Sequence, residues 1–171
     1  MSIAQQIVDK VKSTLPQAIE ATDDFRGEQT LLIKKGQLKK VAKLMRDEFQ
    51  FDFLSDIVAD DMLPDFPRFL VSYHLYSIPN KYRLRLKVEV EDPDSGPETL
   101  ASIWPIATWL ETEVWDLMGV KFKNNKSLRR LFLPEDWQGH PLRKDYPLGY
   151  EEVQFSFNYK EIDSKKPYAK D

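Results

Sequence analysis

Strict alternation of side-chain type over residues 82–91 is the feature that most limits how this chain can fold. In the run YRLRLKVEVE every second residue is apolar or aromatic, and the residues between them are charged. Because side chains along a strand point alternately to its two faces, this pattern predicts a strand with one face in the core and one in water. The run RFLVSYHLYS, residues 68–77, precedes it across the turn residues Pro79 and Asn80. Together they predict an antiparallel hairpin.

Helical spacing of apolar residues predicts three helices around this hairpin. A capped first helix ends at Pro16, a second follows Gly36, and the longest covers residues 102–118. Further strands are predicted at residues 27–34 and within residues 51–61, which gives the order αβαβββα. The predicted fold class is therefore α+β, a mostly antiparallel or mixed sheet with helices packed on one face, followed by an extended C-terminal tail.

The regular spacing of apolar residues stops after Leu133, but the aromatic content does not. We therefore divide the chain into an α+β domain, residues 1–133, and a tail, residues 134–171, which carries seven aromatic residues. A segment that stays disordered is usually poor in aromatic residues, and a structureless stretch of this length is unusual inside a compact domain. We predict that the tail binds another chain; the alternative is that it wraps back over its own domain.

The residue types present offer few routes to catalysis. There is no cysteine, so the chain has no thiolate and cannot hold an iron–sulfur cluster in the usual way. His140 is predicted to be a hydrogen-bonding anchor and His74 a structural residue; a hydrolase that uses His140 with Asp145 is a distant alternative. Glu111 and Glu113 are separated by about 200° around a helix and are predicted to lie on the surface or to form a salt bridge with the basic segment that follows. No catalytic, cofactor-binding or metal-binding residue is predicted.

Charge and hydropathy indicate the kind of partner. A net charge of −3 gives no reason to expect nucleic acid or a membrane surface. Residues 121–130 carry five positive charges and no negative one, which fits either a solvated turn or a docking surface for an acidic partner. Trp104, Trp109 and Trp115 lie largely off the apolar stripe of their helix; at least one is expected to serve the edge of the core, and those left over are candidate interface anchors. The absence of a membrane-spanning run or a signal peptide predicts a cytoplasmic location.

The run SLRRLFLPEDWQGHPLRKDYPL, residues 127–148, closely resembles the signature of the 30 kDa subunit family of respiratory complex I, known in bacteria as the C subunit of NADH-quinone oxidoreductase. GHPLRKDYPL is its most specific part, and the resemblance covers roughly residues 30–155. Two places depart from the family pattern. Thr112 stands where the family helix usually has arginine, and the sequence NNK, residues 124–126, replaces a Gly-His-Pro that often precedes the L-R-R run.

The resemblance implies a non-catalytic docking subunit in the peripheral arm of a proton-pumping NADH:quinone oxidoreductase, on the cytoplasmic face of the bacterial inner membrane. The enzyme activity, FMN, iron–sulfur clusters, NADH and quinone then belong to the assembly and not to this chain. Its partners would be the large quinone-site subunit and neighbouring iron–sulfur subunits. The alternative is the equivalent subunit of a related ferredoxin-using or hydrogenase-type membrane complex. The implied partner-binding residues are Arg129, Arg130, Pro134, Glu135, Asp136, Trp137, Gly139, His140, Pro141, Leu142, Arg143, Lys144, Asp145, Tyr146 and Pro147.

Overall fold

One five-stranded sheet and its helices organise the chain. The structure, a computed structural model, describes residues 2–147 and 155–165. In chain order the elements are α1 (Ile3–Thr14), β1 (Ile19–Phe25), β2 (Glu28–Ile33), α2 (Leu38–Phe49), β3 (Phe53–Asp61), β4 (Phe69–Ser77), β5 (Tyr82–Val90), α3 (Ala107–Met118) and α4 (Tyr159–Lys165). The strand order is β1-β2-β5-β4-β3, in which β2 and β5 are parallel and the other pairs are antiparallel. The predicted α+β class with a mixed sheet is confirmed.

The core lies between the helices and one face of the sheet. Leu84, Leu86 and Val88 of β5 are buried, as the alternating pattern predicts. They belong to the same apolar cluster as buried residues of α1, α2 and α3, for example Val11 and Val41. The charged residues that alternate with them in β5 point to the opposite face, so the described helices α1, α2 and α3 pack on the face that carries the leucines and valines.

Strand β1 was not predicted, because its sequence lacks an apolar alternation. Only Ile19 is partly buried, and every later residue of the strand is exposed. It pairs with β2 through a two-residue turn at Arg26 and Gly27, whose φ angles are 54° and 79°. Positive φ at both turn residues matches the right-handed twist of the strands it joins. The edge position of β1 explains why its residues carry no core signal.

The longest predicted helix starts later than expected. Residues 101–106 form turns, and α3 begins at Ala107 instead of near Ser102. A proline disfavours the helical conformation of the residue before it, so Pro105 interrupts the helix at Trp104. The Trp104 side chain is buried and its indole N–H donates to the Phe51 carbonyl at 3.1 Å. Trp104 is therefore a core residue, as expected of at least one of the three tryptophans.

Candidate functional site

The end of α3 is shaped to receive the signature segment, which we define as residues 127–147. Gly119 ends the helix with φ 77°, and its N–H donates to the Trp115 carbonyl at 2.8 Å. A Cβ atom at this position would lie 2.1 Å from a guanidinium nitrogen of Arg143 and 2.5 Å from the ring of His140. Glycine thus supplies both the left-handed cap and the close approach of the signature segment.

Asp116 of α3 fixes the first part of the signature segment. Its fully buried carboxylate accepts hydrogen bonds from the backbone N–H groups of Leu131, Phe132 and Leu133 at 2.9, 2.8 and 3.1 Å, and from Arg130 at 3.0 Å. Burial by itself would raise the pKa of Asp116, but these donors outweigh it and lower the pKa below its usual range. The carboxylate is therefore ionised at neutral pH and acts as a cap for the 131–133 backbone.

Arg130 joins the helix to the turn that follows. One guanidinium nitrogen donates to the Trp137 and Gly139 carbonyls at 2.7 and 3.0 Å, while the other contacts Asp116. The guanidinium also lies 5.5 Å from the ring centroid of Trp115, and its side chain is only 14% exposed. Arginine suits this place because its planar fork can satisfy several acceptors at once.

His140 docks on the same helix end. Its Nδ1 lies 2.9 Å from the Asp116 carbonyl oxygen, which can only accept, so Nδ1 carries the proton. The ring meets Trp115 edge-on, with centroids 5.9 Å apart. Burial is the main cause that lowers the pKa of His140, so the ring is neutral at pH 7. These contacts agree with the expected role of a hydrogen-bonding anchor.

Arg143 closes the signature segment over the end of α3. Its Nε donates to the Met118 carbonyl at 2.7 Å, and its guanidinium lies 5.6 Å from the ring centroid of Phe69. One residue earlier, the Leu142 N–H donates to the Leu117 carbonyl at 3.1 Å. The otherwise unsatisfied carbonyls at the helix C-terminus are thus paired with the signature segment.

A second anchor ties the signature segment to β3 and the loop after it. Asp61 accepts from the backbone N–H of Lys144 at 2.9 Å and pairs with Arg68 at 3.0 Å. Arg68 also pairs with Asp145 at 2.7 Å, and the Lys144 ammonium donates to the Leu63 carbonyl at 2.8 Å. Burial opposes ionisation of Asp61, but the bonds from Arg68 and from backbone N–H groups lower its pKa. Sequence reasoning missed Asp61 and Arg68, which lie far from the signature along the chain.

These contacts determine how the described part of the tail is placed. Residues 134–147 lie on their own domain, which is the alternative that the sequence left open, while residues 148–154 and 166–171 lie outside the described residues. Partner binding by the signature stays a prediction. Of the residues named for it, Arg129, Glu135, Asp136, Gly139, Leu142, Lys144, Asp145 and Pro147 are exposed, whereas Arg130, Pro134, Trp137, His140, Pro141, Arg143 and Tyr146 are partly buried.

Glu111 corrects a prediction. It was expected on the surface but is fully buried, where it accepts from the Thr99 hydroxyl at 2.6 Å, the Leu100 N–H at 2.8 Å and the Asn125 side-chain amide at 3.0 Å. Burial is the main cause that raises the pKa of its carboxyl. The spacing of residues could have predicted this burial, because Glu111 lies four positions after the buried Ala107 and therefore on the same helix face.

The two departures from the family pattern meet at one backbone carbonyl. The Thr112 hydroxyl donates to the Thr108 carbonyl at 2.7 Å, and the Asn125 amide approaches the same oxygen at 3.4 Å. Asn125 also accepts from the Ser127 N–H at 2.8 Å. Thr112 and Asn125 therefore hold α3 against the chain just before the signature, and Asn125 adds a bond to the buried Glu111.

Three broader observations concern the described residues alone. Among them, no group of three or more His, Cys, Asp or Glu side chains is placed to hold a metal ion. None of their helices combines the length and apolar character needed to cross a bilayer. His140 and Asp145 make no contact with each other in the described structure; Asp145 pairs with Arg68.

Comparison with known proteins decides the family. The sequence model of the respiratory-chain NADH dehydrogenase 30 kDa subunit matches residues 31–152, more than half of the chain. The chain belongs to this family. The resemblance seen in the sequence is thereby confirmed. The matched residues agree closely with the range of roughly 30–155 that the motifs indicated. The residues that hold the signature, from Asp61 to Tyr146, lie within the matched range.

Several relatives of this chain are C subunits of NADH-quinone oxidoreductase. The C subunit of NADH-quinone oxidoreductase from Roseiflexus sp. (strain RS-1) is 40% identical over 167 residues, which cover 96% of this chain and 96% of the relative. The protein of the same name from Geobacter sulfurreducens is 44% identical over 149 residues, or 86% of this chain and 92% of the relative. The similarity therefore extends over nearly the whole length of both relatives.

Solved structures share the fold. A trypsin-resistant fragment of Nqo5 superposes with a TM-score of 0.60 at 27% identity and covers 71% of this chain and 96% of the fragment. A chain of the membrane-bound sulfane sulfur reductase, an archaeal respiratory membrane complex, gives a TM-score of 0.75 at 19% identity and covers 99% of this chain and 97% of that one. At this identity the second likeness concerns the fold alone.

Proposed function

We propose that this chain is a non-catalytic docking subunit in the peripheral arm of a proton-pumping NADH:quinone oxidoreductase. It packs on the large quinone-site subunit and neighbouring iron–sulfur subunits at the cytoplasmic face of the membrane. It supports electron transfer from NADH through FMN and iron–sulfur clusters to quinone without carrying a cofactor itself. Family membership supports this proposal, as do relatives named as part of NADH-quinone oxidoreductase that are similar over almost their whole length.

The observation that carries the proposal is how the signature segment uses its charges. Arg130 and Arg143 are directed at carbonyls and a carboxylate of their own domain, so they hold the segment in place. Leu142, Glu135 and Lys144 are left exposed on that fixed backbone. A surface that is ordered before binding loses less conformational entropy when a partner arrives. This arrangement suits a permanent docking surface.

A second candidate is the equivalent subunit of a related ferredoxin-using or hydrogenase-type membrane complex. A chain of an archaeal respiratory membrane complex has the same fold, so the fold by itself is compatible with this candidate as well. The subunits that copurify with the chain from its own host separate the two candidates, because only one of them requires NADH-oxidising flavoprotein subunits. The hydrolase alternative requires His140 to act with Asp145, whose carboxylate is already paired with Arg68.

Two matched variants test docking by the signature. Leu142 in the signature and Ile78 in the turn between β4 and β5 are apolar and similarly exposed, at 60% and 57%. A charge buried without a partner in an interface costs several kcal/mol. We therefore expect Leu142→Glu to reduce recovery of the tagged full-length chain in the membrane complex at least about tenfold, since each 1.4 kcal/mol is a factor of about ten. Ile78→Glu should assemble normally.

The readout is mass spectrometry of subunits that copurify from native membranes, together with the thermal transition of each isolated variant. Both substitutions lie at exposed positions, so both isolated proteins should unfold at the wild-type temperature. Equal recovery of both variants would contradict docking through the signature. A wild-type chain that purifies without other subunits would contradict the docking function as a whole.

A further inference from the structure

A groove of about 400 Å³ lies between the N-terminal half of α3 and residues 126–129. Thr108, Trp109 and Thr112 line it from the helix, and Lys126 and Arg129 line it from the opposite segment. The short Thr112 side chain is bonded back to the Thr108 carbonyl. The volume beside it stays open. The groove borders residues 127–129 at the start of the signature segment. Asp116 and Arg130, which hold the rest of that segment, do not line it.

The charges around the groove have one sign. Lys126 and Arg129 line it and no acidic residue does. Neighbouring cations behave differently: Lys121 pairs with Asp94 at 2.6 Å, and Arg130 pairs with the buried Asp116. Within residues 2–147 and 155–165, no carboxylate lies within ion-pair distance of Lys126 or Arg129. The groove therefore offers two cations that have no carboxylate partner among the described residues.

An aromatic wall completes the groove. Trp109 lines the groove and is 51% exposed, and Ile106, three residues before it in the chain and outside the lining, is 48% exposed. The Arg129 guanidinium lies 5.6 Å from the Trp109 ring centroid. Stacking on the ring holds the guanidinium while its N–H edge stays able to form two hydrogen bonds to a carboxylate. Tryptophan and arginine are also the residues that most often dominate the energetics of protein interfaces.

We propose that this groove binds an acidic segment of a partner subunit. An Asp or Glu carboxylate of that segment pairs with Arg129 and Lys126, and an apolar side chain next to it packs on Trp109 and Ile106. The inference rests on the proposed function only in that the chain is a member of a multi-subunit complex. It adds a contact surface that α3 forms with the start of the signature segment, residues 127–129, and it states the chemistry of the partner segment that fills the groove.

Photo-crosslinking in the assembled complex identifies the occupant directly. The photoreactive residue p-benzoylphenylalanine replaces Lys126 at the groove or, as a control, the exposed Lys43 on α2. We expect the groove position to yield a crosslinked peptide from another subunit with an Asp or Glu within a few residues of the attachment point. A crosslink to this chain's own residues 148–154 or 166–171, to lipid, or to a peptide without acidic residues overturns the proposal. So does an intact complex without any crosslink.

Charge reversal provides the matched functional test. The double variant Lys126→Glu, Arg129→Glu is compared with Lys123→Glu, which changes an exposed lysine of the same segment that does not line the groove. We expect the double variant to lower recovery of the complex at least tenfold and Lys123→Glu to lower it less than twofold. Equal recovery of the two variants, with wild type assembling normally, overturns the groove proposal alone. A wild-type chain that recovers no partner subunits defeats the proposed function instead.

Discussion

Replacing Asp116 by asparagine should detach the signature segment from α3. The variant keeps the size of the side chain but removes its charge and turns one carboxylate oxygen into a donor. One oxygen accepts from three backbone N–H groups and the other from Arg130, so either orientation of the amide opposes buried donors. Removing one member of a buried ion pair costs about 3–5 kcal/mol. Because the Arg130 side chain keeps slight exposure, we expect about 3 kcal/mol.

Thermal unfolding and amide hydrogen exchange measure this effect together. A loss of about 3 kcal/mol lowers the Tm of a chain of this size by about 6–12 °C. If the segment opens locally instead, the amides of Leu131, Phe132 and Leu133 should exchange faster while the Tm changes less. Glu113→Gln is the control, a carboxylate-to-amide change on the same helix at a partly buried residue. Wild-type stability and wild-type exchange in Asp116→Asn would refute the reasoning.

Acid titration gives the same prediction a second readout. The folded-state pKa of Asp116 is lowered from 3.8, so its contribution to stability is present above that value and is lost as pH falls through the folded pKa. Below about pH 4 the wild type should therefore lose unfolding free energy faster than Asp116→Asn. Parallel curves for the two proteins in this range would show that the carboxylate does not hold the segment through its charge.

Three further outcomes follow from the geometry. The difference in unfolding free energy between the wild type and Glu111→Gln should become smaller as pH rises above about 4.5. Burial raises the folded-state pKa of this carboxyl, so the wild type loses stability as the group ionises, while the variant does not. Urea titrations of both proteins across pH check this. Gly119→Ala should lower the free energy of unfolding by about 2 kcal/mol or more, because the backbone there is left-handed and the new Cβ clashes. Gly36→Ala has open space around its Cβ and should change the free energy of unfolding by less than about 1 kcal/mol. Truncation after residue 133 should lower the Tm more than truncation after residue 147, because residues 134–147 pair with buried groups of the domain.

The sheet could be predicted where burial and sequence period coincide. Strand β5 has one buried and one wet face, so its alternation was readable from the order of its residues alone. Strand β1 is exposed along almost its whole length and is held by backbone pairing to β2 and a left-handed turn, neither of which leaves an apolar pattern. The late start of α3 also escaped prediction, because Trp104 is fixed by a tertiary bond to Phe51. Local sequence signals do not encode such partners.

The site was predictable only in part, because tertiary contacts leave no signal in the local sequence. The signature located the segment, and His140 was expected to anchor it. Asp116 and Asp61, which hold it, come from α3 and β3, and Arg68 comes from the loop just before β4; only folding brings them beside the signature. Glu111 was misplaced on the surface because a carboxylate seldom occupies a core position unless it is paired. Its three donors supply that pairing.

The departures from the family pattern make sense as one local unit. Thr112 and Asn125 both contact the Thr108 carbonyl, so a change at either position alters the surroundings of the other. Contacting residues are expected to be non-additive in their effects on stability, whereas distant ones usually add. Asn125 also bonds the buried Glu111, which links this unit to the interior of the domain. The chain thus stabilises the approach to the signature with short hydrogen-bonded side chains, and the space beside them is the groove that Trp109 and Arg129 border.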